Sequence, residues 1–397
     1  MWRHRPDENL LKSLVLCNQM KRVAILTTHR ANNFGAVLQA YSLVMACREL
    51  GADAEILDWR CPQYERQYRT AWKMHRNPIP ALKYLWWYMM RERCARQHFD
   101  NFRKRLPLSR KIVRRSDLLA IAQEYDSFIV GSDQVWNPGN SADDPLKFDR
   151  TYLLDFVKDK PKNAYAASIG TGGVKPETLI PEFKTAWMSY ACITMREHAG
   201  AQFVSDILKR PIETVLDPVL LHDMEFWRTV ANKAVCPKEK YIVIYNVHKW
   251  RKGSRWLVDM AHEYANKYHF RIVDLLVPSA REKWNHNSVS VGPAEFLTFI
   301  DGAEAVFTNS FHASAFSVIF RKKLYLNRVG DSAYPNSRFN SLMQFAGLCE
   351  LDRWEKNGDV ISMVDCAQAR GDKLVFEIVR SKGFLRQMLG DIKTERS

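Results

Sequence analysis

Residues 23–50 read VAILTTHRANNFGAVLQAYSLVMACREL. The first six are short and apolar, as in a buried strand. From Gly35 the apolar residues recur at helical spacing until Gly51 stops them. Strand, polar turn and helix, in that order, open a βαβ unit. The alternation continues outward. Residues 55–58 are strand-like, Ser116 and Asp117 can cap a helix running to about Tyr125, and Phe128-Ile129-Val130 is a buried strand ending at Gly131. Further strands are expected at 164–169, 191–195 and 214–216. A second series follows: strand 241–247, helix 253–268, strand 270–277, helix 293–300, strand 305–308, helix 311–320 and strand 324–327. Such alternation through short links predicts parallel sheets covered by helices on both faces. Two series predict an α/β chain of two Rossmann-like domains facing a cleft.

The length of 397 residues suits two domains at ~100–200 residues each. The expected units are 20–222 and 240–350, with Cys236-Pro237-Lys238-Glu239-Lys240 as the linker. Residues 1–19 are expected to be an N-terminal extension. Lys12 interrupts their apolar run and no small-residue cleavage site follows, so no signal peptide is expected there. Residues 351–397 are expected to be a helical tail packing back across the first domain.

A composition of 46% hydrophobic and 26% charged residues is that of an ordinary globular chain. No stretch approaches the ~18 uncharged apolar residues of a membrane span. None of the eight cysteines forms a CxxC pair, which argues against a zinc or redox module and for reduced cytoplasmic thiols. The net charge of +15 is concentrated in one place: residues 60–115 hold 16 Lys/Arg against Glu65, Glu92 and Asp100. This insert, expected to be helical, also carries Leu85-Trp86-Trp87-Tyr88-Met89-Met90. Basic residues around aromatic ones suit anionic headgroups at the inner face of a membrane. The plainer alternative is a solvated helical face with its Trp residues packed on the domain. Nucleic acid is the weakest reading, because no nucleic-acid motif accompanies the charge.

In open parallel sheets ligands bind beyond the carboxyl ends of the strands. After the first strand come Asn32, Asn33 and Gly35, a polar turn at a helix start. It lacks the spacing of a dinucleotide or P-loop motif. After Phe128-Ile129-Val130 come Gly131-Ser132-Asp133-Gln134-Val135-Trp136-Asn137-Pro138. Ser132, Asp133, Gln134 and Trp136 can grip sugar hydroxyls, with Trp136 as a stacking face and Asp133 as a base; the alternative is a self-satisfied turn network. Arg196, also at a strand end, can fork onto a carboxylate or phosphate, or pair with Glu197 or Asp217. Asp217 is read as structural, before a turn at Pro218. Ser310 is a plausible N-cap, Phe311 and His312 follow in the first helical turn, and His312 can act as acid or base near neutral pH. Arg338, at the start of a helix opening near Asn336, can supply a second cation. No His/Cys/Asp cluster has metal-ligand spacing, so no metal or other cofactor is expected.

These stretches together resemble the polysaccharide pyruvyl transferase family. The resemblance lies in NNFGAVLQAYSL (32–43), FIVGSDQVWNP (128–138), AYAASIG (164–170), TMREHAG (194–200), ETVLDPVLL (213–221), TNSFHASAFSVIF (308–320) and NSRFNSLMQFAGL (336–348). It implies a two-domain fold similar to the GT-B glycosyltransferases. It implies phosphoenolpyruvate as co-substrate and a cyclic ketal on two hydroxyls of a sugar or lipid-linked oligosaccharide, in capsular, exopolysaccharide or cell-wall glycan synthesis. Arg196 and His312 match positions expected to face the donor. Ser310 stands where some members carry Arg, which makes Arg338 the candidate replacement. Two rival readings stay open: a nucleotide-sugar glycosyltransferase, which would release a nucleoside diphosphate, and a non-catalytic glycan-binding member.

Overall fold

A computed structural model describes residues 20–61, 93–138, 148–170, 174, 177–235, 237–247, 252–275, 289–329 and 333–390. Two sheets organise them, one wholly parallel and one mixed. The first has seven strands: β1 (Arg22–Leu26), β2 (Asp53–Trp59), β3 (Leu108–Ile112), β4 (Ser127–Val130), β5 (Lys162–Ala167), β6 (Cys192–Met195) and β7 (Glu213–Thr214). Their spatial order is β3-β2-β1-β4-β5-β6-β7 and every pairing is parallel. The second sheet comprises β8 (Tyr241–Tyr245), β9 (Arg271–Asp274), β10 (Ala305–Thr308), β11 (Lys323–Val329), β12 (Asp352–Lys356) and β13 (Asp359–Asp365), ordered β12-β13-β11-β10-β8-β9. The chain is therefore α/β with two Rossmann-like domains.

The first strand is shorter than its apolar run. β1 stops at Leu26 because Thr27 and Thr28 turn their hydroxyls to the loop after β4. Helix α1 (Phe34–Glu49) starts one residue before Gly35, with Asn33 as its N-cap: the Asn33 side chain accepts from the Ala36 N–H at 3.2 Å. Twelve of its sixteen residues are buried, so α1 is not a surface helix. It lies between the first sheet and elements of the second domain, α8 (Pro293–Gly302) and α9 (Phe311–Ile319). The Phe34 ring stacks 4.6 Å from Phe296 of α8 and 5.3 Å from Tyr245 of β8, and Trp227 meets Phe316 at 4.9 Å. One continuous hydrophobic core thus runs from the first sheet into the second. Burying these rings on both sides holds the two strand ends in a fixed relation.

Three expectations need correction. Residues 351–397 are not a helical tail throughout: β12 and β13 form a hairpin that adds an antiparallel edge to β11. β13 is covered on both faces, with Val360, Ser362 and Val364 buried on one and Ile361 on the other. Among the described residues of this stretch the α-helix is α11 (Gly371–Leu389), and it lies on the first domain: Ser381 Oγ accepts from the Leu216 N–H at 3.0 Å and Asn163 Nδ2 donates to the Met388 carbonyl at 3.4 Å. Nor is the stretch 60–115 a wholly helical insert. Its last part is β3, an edge strand of the first sheet, and Phe99 and Phe102 of α2 (Arg93–Arg103) are core residues. The helix carrying Arg338 is α10 (Ala333–Ala346), which opens three residues before Asn336. The expected N-terminal extension and the aromatic run 85–90 lie outside the described residues.

Candidate active site

The strand order of the first sheet reverses between β1 and β4, so the loops after these strands part and leave a crevice. Side chains stitch the two loops together. Thr27 Oγ1 donates to the Ser132 carbonyl at 3.1 Å, Thr28 Oγ1 donates to Asp133 Oδ2 at 2.9 Å, and Gln39 Nε2 donates to Thr27 Oγ1 at 2.7 Å. Asp133 has φ 72°, in the left-handed region that Asp tolerates better than bulkier residues. Its carbonyl accepts from the N–H groups of Val135 and Ser168. That backbone geometry aims the carboxylate at Arg196, whose Nη1 is 3.8 Å from Asp133 Oδ1.

Asp217 is the centre of the arrangement. It follows β7 and is fully buried. Its Oδ2 accepts from Ser132 Oγ at 2.7 Å and from Arg196 Nη1 at 3.1 Å, and its Oδ1 accepts from the Val219 N–H at 3.1 Å. From the second domain His312 brings Nε2 to 3.6 Å from the same Oδ2. Burial alone would push the Asp217 carboxyl up, but the charges of His312 and Arg196 and the hydrogen bonds outweigh it and hold the group well below the usual carboxylate range. Asp217 is therefore an anion that joins a strand end of one domain to a helix start of the other.

Arg196 is 2% exposed. Burial disfavours its charge, yet Glu197, Asp217 and Asp133 outweigh that and the guanidinium stays charged. Phe311 lies under it, with the ring centroid 4.5 Å from Cζ. Glu197 accepts from Ser168 Oγ at 2.6 Å, and burial pushes its carboxyl up against the pull of Arg196, Ser168 and Arg338. Of the three carboxylates around Arg196, Asp133 is the most distant and the most exposed.

Helix α9 starts where its sequence indicates. Ser310 caps it, Oγ accepting from the Ala313 N–H at 3.4 Å. The N–H groups of Phe311 and His312 complete the first turn and carry the partial positive charge of the helix end. His312 is 8% exposed, and a Cβ on Gly35 would come 2.0 Å from its Nδ1. Gly35 is thus required by the close approach of α1 to the His312 ring.

Several side chains expected to meet an acceptor do other work. Trp136 is fully buried. It packs on Trp187 and Tyr190 and donates Nε1–H to the Tyr152 carbonyl at 3.0 Å, so it cannot be a stacking face. A large ring with a satisfied N–H gains most by leaving water. Ser132 is also fully buried, beneath the site, and serves Asp217. Asn33 caps α1, Asn32 Oδ1 accepts from Arg103 at 2.7 Å, and Gln134 Oε1 accepts from Asn137 at 2.8 Å. Gly35 meets His312. Arg338 packs on Phe339 at 4.9 Å and is near enough to Glu197 to lower its pKa.

Thr28, Ser168 and Arg103 are not foreseen from the sequence, while Glu197 and Asp217 enter it only as pairing partners for Arg196, which both are. For Asp217 the signal was available, since it is a charged residue at a strand's carboxyl end. The others depend on contacts across the fold. Among the described residues no three His, Cys, Asp or Glu side chains are grouped so as to hold a metal ion, and no helix is long and apolar enough to cross a membrane.

Two α/β domains thus bring polar strand-end loops together on one buried carboxylate, Asp217. Residues 33–325 match the model of the polysaccharide pyruvyl transferases. That span is most of the chain, and the chain belongs to this family of transferases. Solved structures align with the chain at low identity. UDP-GlcNAc 2-epimerase from Methanocaldococcus jannaschii is 12% identical with a TM-score of 0.46, over 92% of this chain and 100% of that one. The spinosyn rhamnosyltransferase SpnG is 13% identical with a TM-score of 0.43, over 93% and 99%. The glycosyltransferase SnogD from Streptomyces nogalater is 10% identical with a TM-score of 0.38, over 94% and 96%. None of the curated proteins compared with the chain matches it.

Proposed function

We propose that the protein transfers the pyruvyl group of phosphoenolpyruvate to two hydroxyls of a glycan as a cyclic ketal, releasing phosphate. The observation that carries this reading is the meeting of Arg196 and His312, from different domains, on Asp217. Family membership supports it.

The donor carries a phosphate and a carboxylate and needs cations and helix N–H groups. Arg196 would accept one anionic group by exchanging its weakest partner, Asp133. That exchange would release the Asp133 carboxylate to take a proton from an acceptor hydroxyl. Arg338 and the first turn of α9 would hold the other anionic group. His312 would give a proton to the donor's methylene carbon, making it a methyl group next to an oxocarbenium-like carbon. The first hydroxyl adds there, phosphate leaves, and the second hydroxyl closes the ring. One hydroxyl proton replaces the one given up by His312 and the other leaves with phosphate. This sequence calls on no metal.

Work at an anionic membrane surface through residues 60–115, with a lipid-linked acceptor, belongs to the same proposal. Its support is the charge of that segment, with a restriction. Arg103 and Arg105 donate to backbone carbonyls, and Arg110 and Arg115 pair with Glu124 and Asp155. Lipid contact would rest on the other basic residues.

The test is thermal stabilisation by phosphoenolpyruvate against a panel of nucleotide sugars, on wild type, Arg196→Ala and Arg196→Lys. Stabilisation by phosphoenolpyruvate alone, reduced in both variants, is expected. A response to a nucleotide sugar and none to phosphoenolpyruvate would replace this reading with glycosyl transfer.

A further inference from the structure

We infer that Arg103, on the basic insert, is a positioning residue for this site: it fixes the loop after β1 and through it both Asp133 and His312. The inference rests on the proposed function for its catalytic meaning, and on geometry for the rest.

Arg103 is the last residue of α2 and is 6% exposed. Its guanidinium fills the inside of the loop. Nε donates to the His29 carbonyl at 3.1 Å, and Nη2 donates to the carbonyls of Arg30 at 3.0 Å and Ala31 at 2.9 Å and to Asn32 Oδ1 at 2.7 Å. Nη1 is tied to Asp100 at 2.9 Å. Four consecutive loop residues thus turn their oxygens onto one planar fork. A turn that gathers carbonyls in this way exposes acceptors that must be satisfied, and a flat five-donor group meets them where an ammonium cannot.

The clamp is itself anchored. Phe99, one turn earlier on α2, stacks 5.1 Å from Phe34, the residue that opens α1. On its other side the loop is held by His29, whose ring nitrogens face the Thr27 carbonyl at 3.1 Å and Asp58 at 3.3 Å. Both ends of the clamped loop end at the site. Thr28, just before it, donates to Asp133, and Gly35, just after it, lies against the His312 ring. Moving the loop would therefore move the proton acceptor and the proton donor of the proposed reaction together. The basic insert has a definite task in this arrangement, apart from any surface charge.

The experiment compares wild type with Arg103→Ala and Arg103→Lys by carbethoxylation with diethylpyrocarbonate, reading each histidine by mass spectrometry. It needs no ligand. His312 modification is expected to rise about tenfold in both variants, as local opening follows the loss of one or two net hydrogen bonds. His222, equally buried and bonded to the Ser42 carbonyl two turns into α1 rather than to the loop, should keep its wild-type rate. Millimolar guanidinium should restore protection in Arg103→Ala and not in Arg103→Lys, where the side chain fills the space. An unchanged His312 rate, or a joint rise of His312 and His222, would overturn the inference. The Lys variant keeps the test decisive if the Ala variant fails to fold. A parallel titration with phosphoenolpyruvate separates the two claims. Absence of binding by wild type refutes the proposed function and leaves the reactivity result to decide the role of Arg103.

Discussion

Gly35→Ala is the sharpest perturbation the site offers. The added methyl would come 2.0 Å from His312 Nδ1, 2.2 Å from Cγ and 2.7 Å from Cε1, whereas ordinary contact begins at 3.4 Å. Either the ring or the start of α1 must shift by about 1.4 Å. Both sides are closely packed, with Phe34 and Val37 on one and Phe311 and Ala313 on the other, all buried. Overpacking of this kind costs about 1–3 kcal/mol, while Ala in a helix recovers about 1 kcal/mol relative to Gly. The net stability loss should therefore be only about 0–2 kcal/mol. The effect on turnover should be larger, since misplacing a reacting group by ~1 Å can cost ~100-fold. Thermal unfolding gives the first quantity. Phosphate release from phosphoenolpyruvate with a pooled lipid-linked glycan acceptor gives the second. A variant with wild-type melting and wild-type turnover would refute the placement of His312 against α1.

Three further outcomes follow from the same geometry. Asp217→Asn should destabilise the fold by about 3–5 kcal/mol, because it removes an anion that compensates buried Arg196; a melting temperature within a degree of wild type would contradict the central role of Asp217. Trp136→Phe should cost about 1 kcal/mol, through the lost bond to the Tyr152 carbonyl. It should leave the acceptor KM unchanged, whereas a raised KM would restore Trp136 as a stacking face. Glu49 is held down at about 2, first by its hydrogen bond to His222 and further by Lys382. A depressed carboxyl contributes stability that is present above its unfolded value near 4.5 and is lost as pH falls toward 2. Glu49→Gln should therefore lower stability at neutral pH, leave it unchanged near pH 2 and so flatten the acid limb between about 4.5 and 2; an unaltered acid limb would count against the Glu49–His222 link.

Much of the fold was legible because it is local. The apolar run Val23-Ala24-Ile25-Leu26, the Asn33 cap and the helical spacing after it lie within a few residues of one another, and the strand and helix series repeats that logic. The edge hairpin 352–365 was not legible as strand, since its role depends on pairing with β11, an element distant in the chain. Arg196, His312 and Asp133 are candidates by their positions at strand ends and a helix start, and the fold brings them together around Asp217. Trp136 was misread because a Trp beside polar residues looks like a binding face until its burial is known. Asp217 was undervalued because its partners Ser132, Arg196 and His312 come from three separate segments.

The sequence by itself determined the family, the two series of strands and helices, and the places where chemistry could occur, since these depend on residue type and short spacing. Only the tertiary structure decided which of those residues touch. It brought Arg196 and His312 onto one buried anion, closed Gly35 against the imidazole, and turned a surface-looking arginine of the insert into the clamp of a loop. Charge and hydrogen-bonding energies depend on distance and exclusion of water, and neither quantity exists until distant segments have packed.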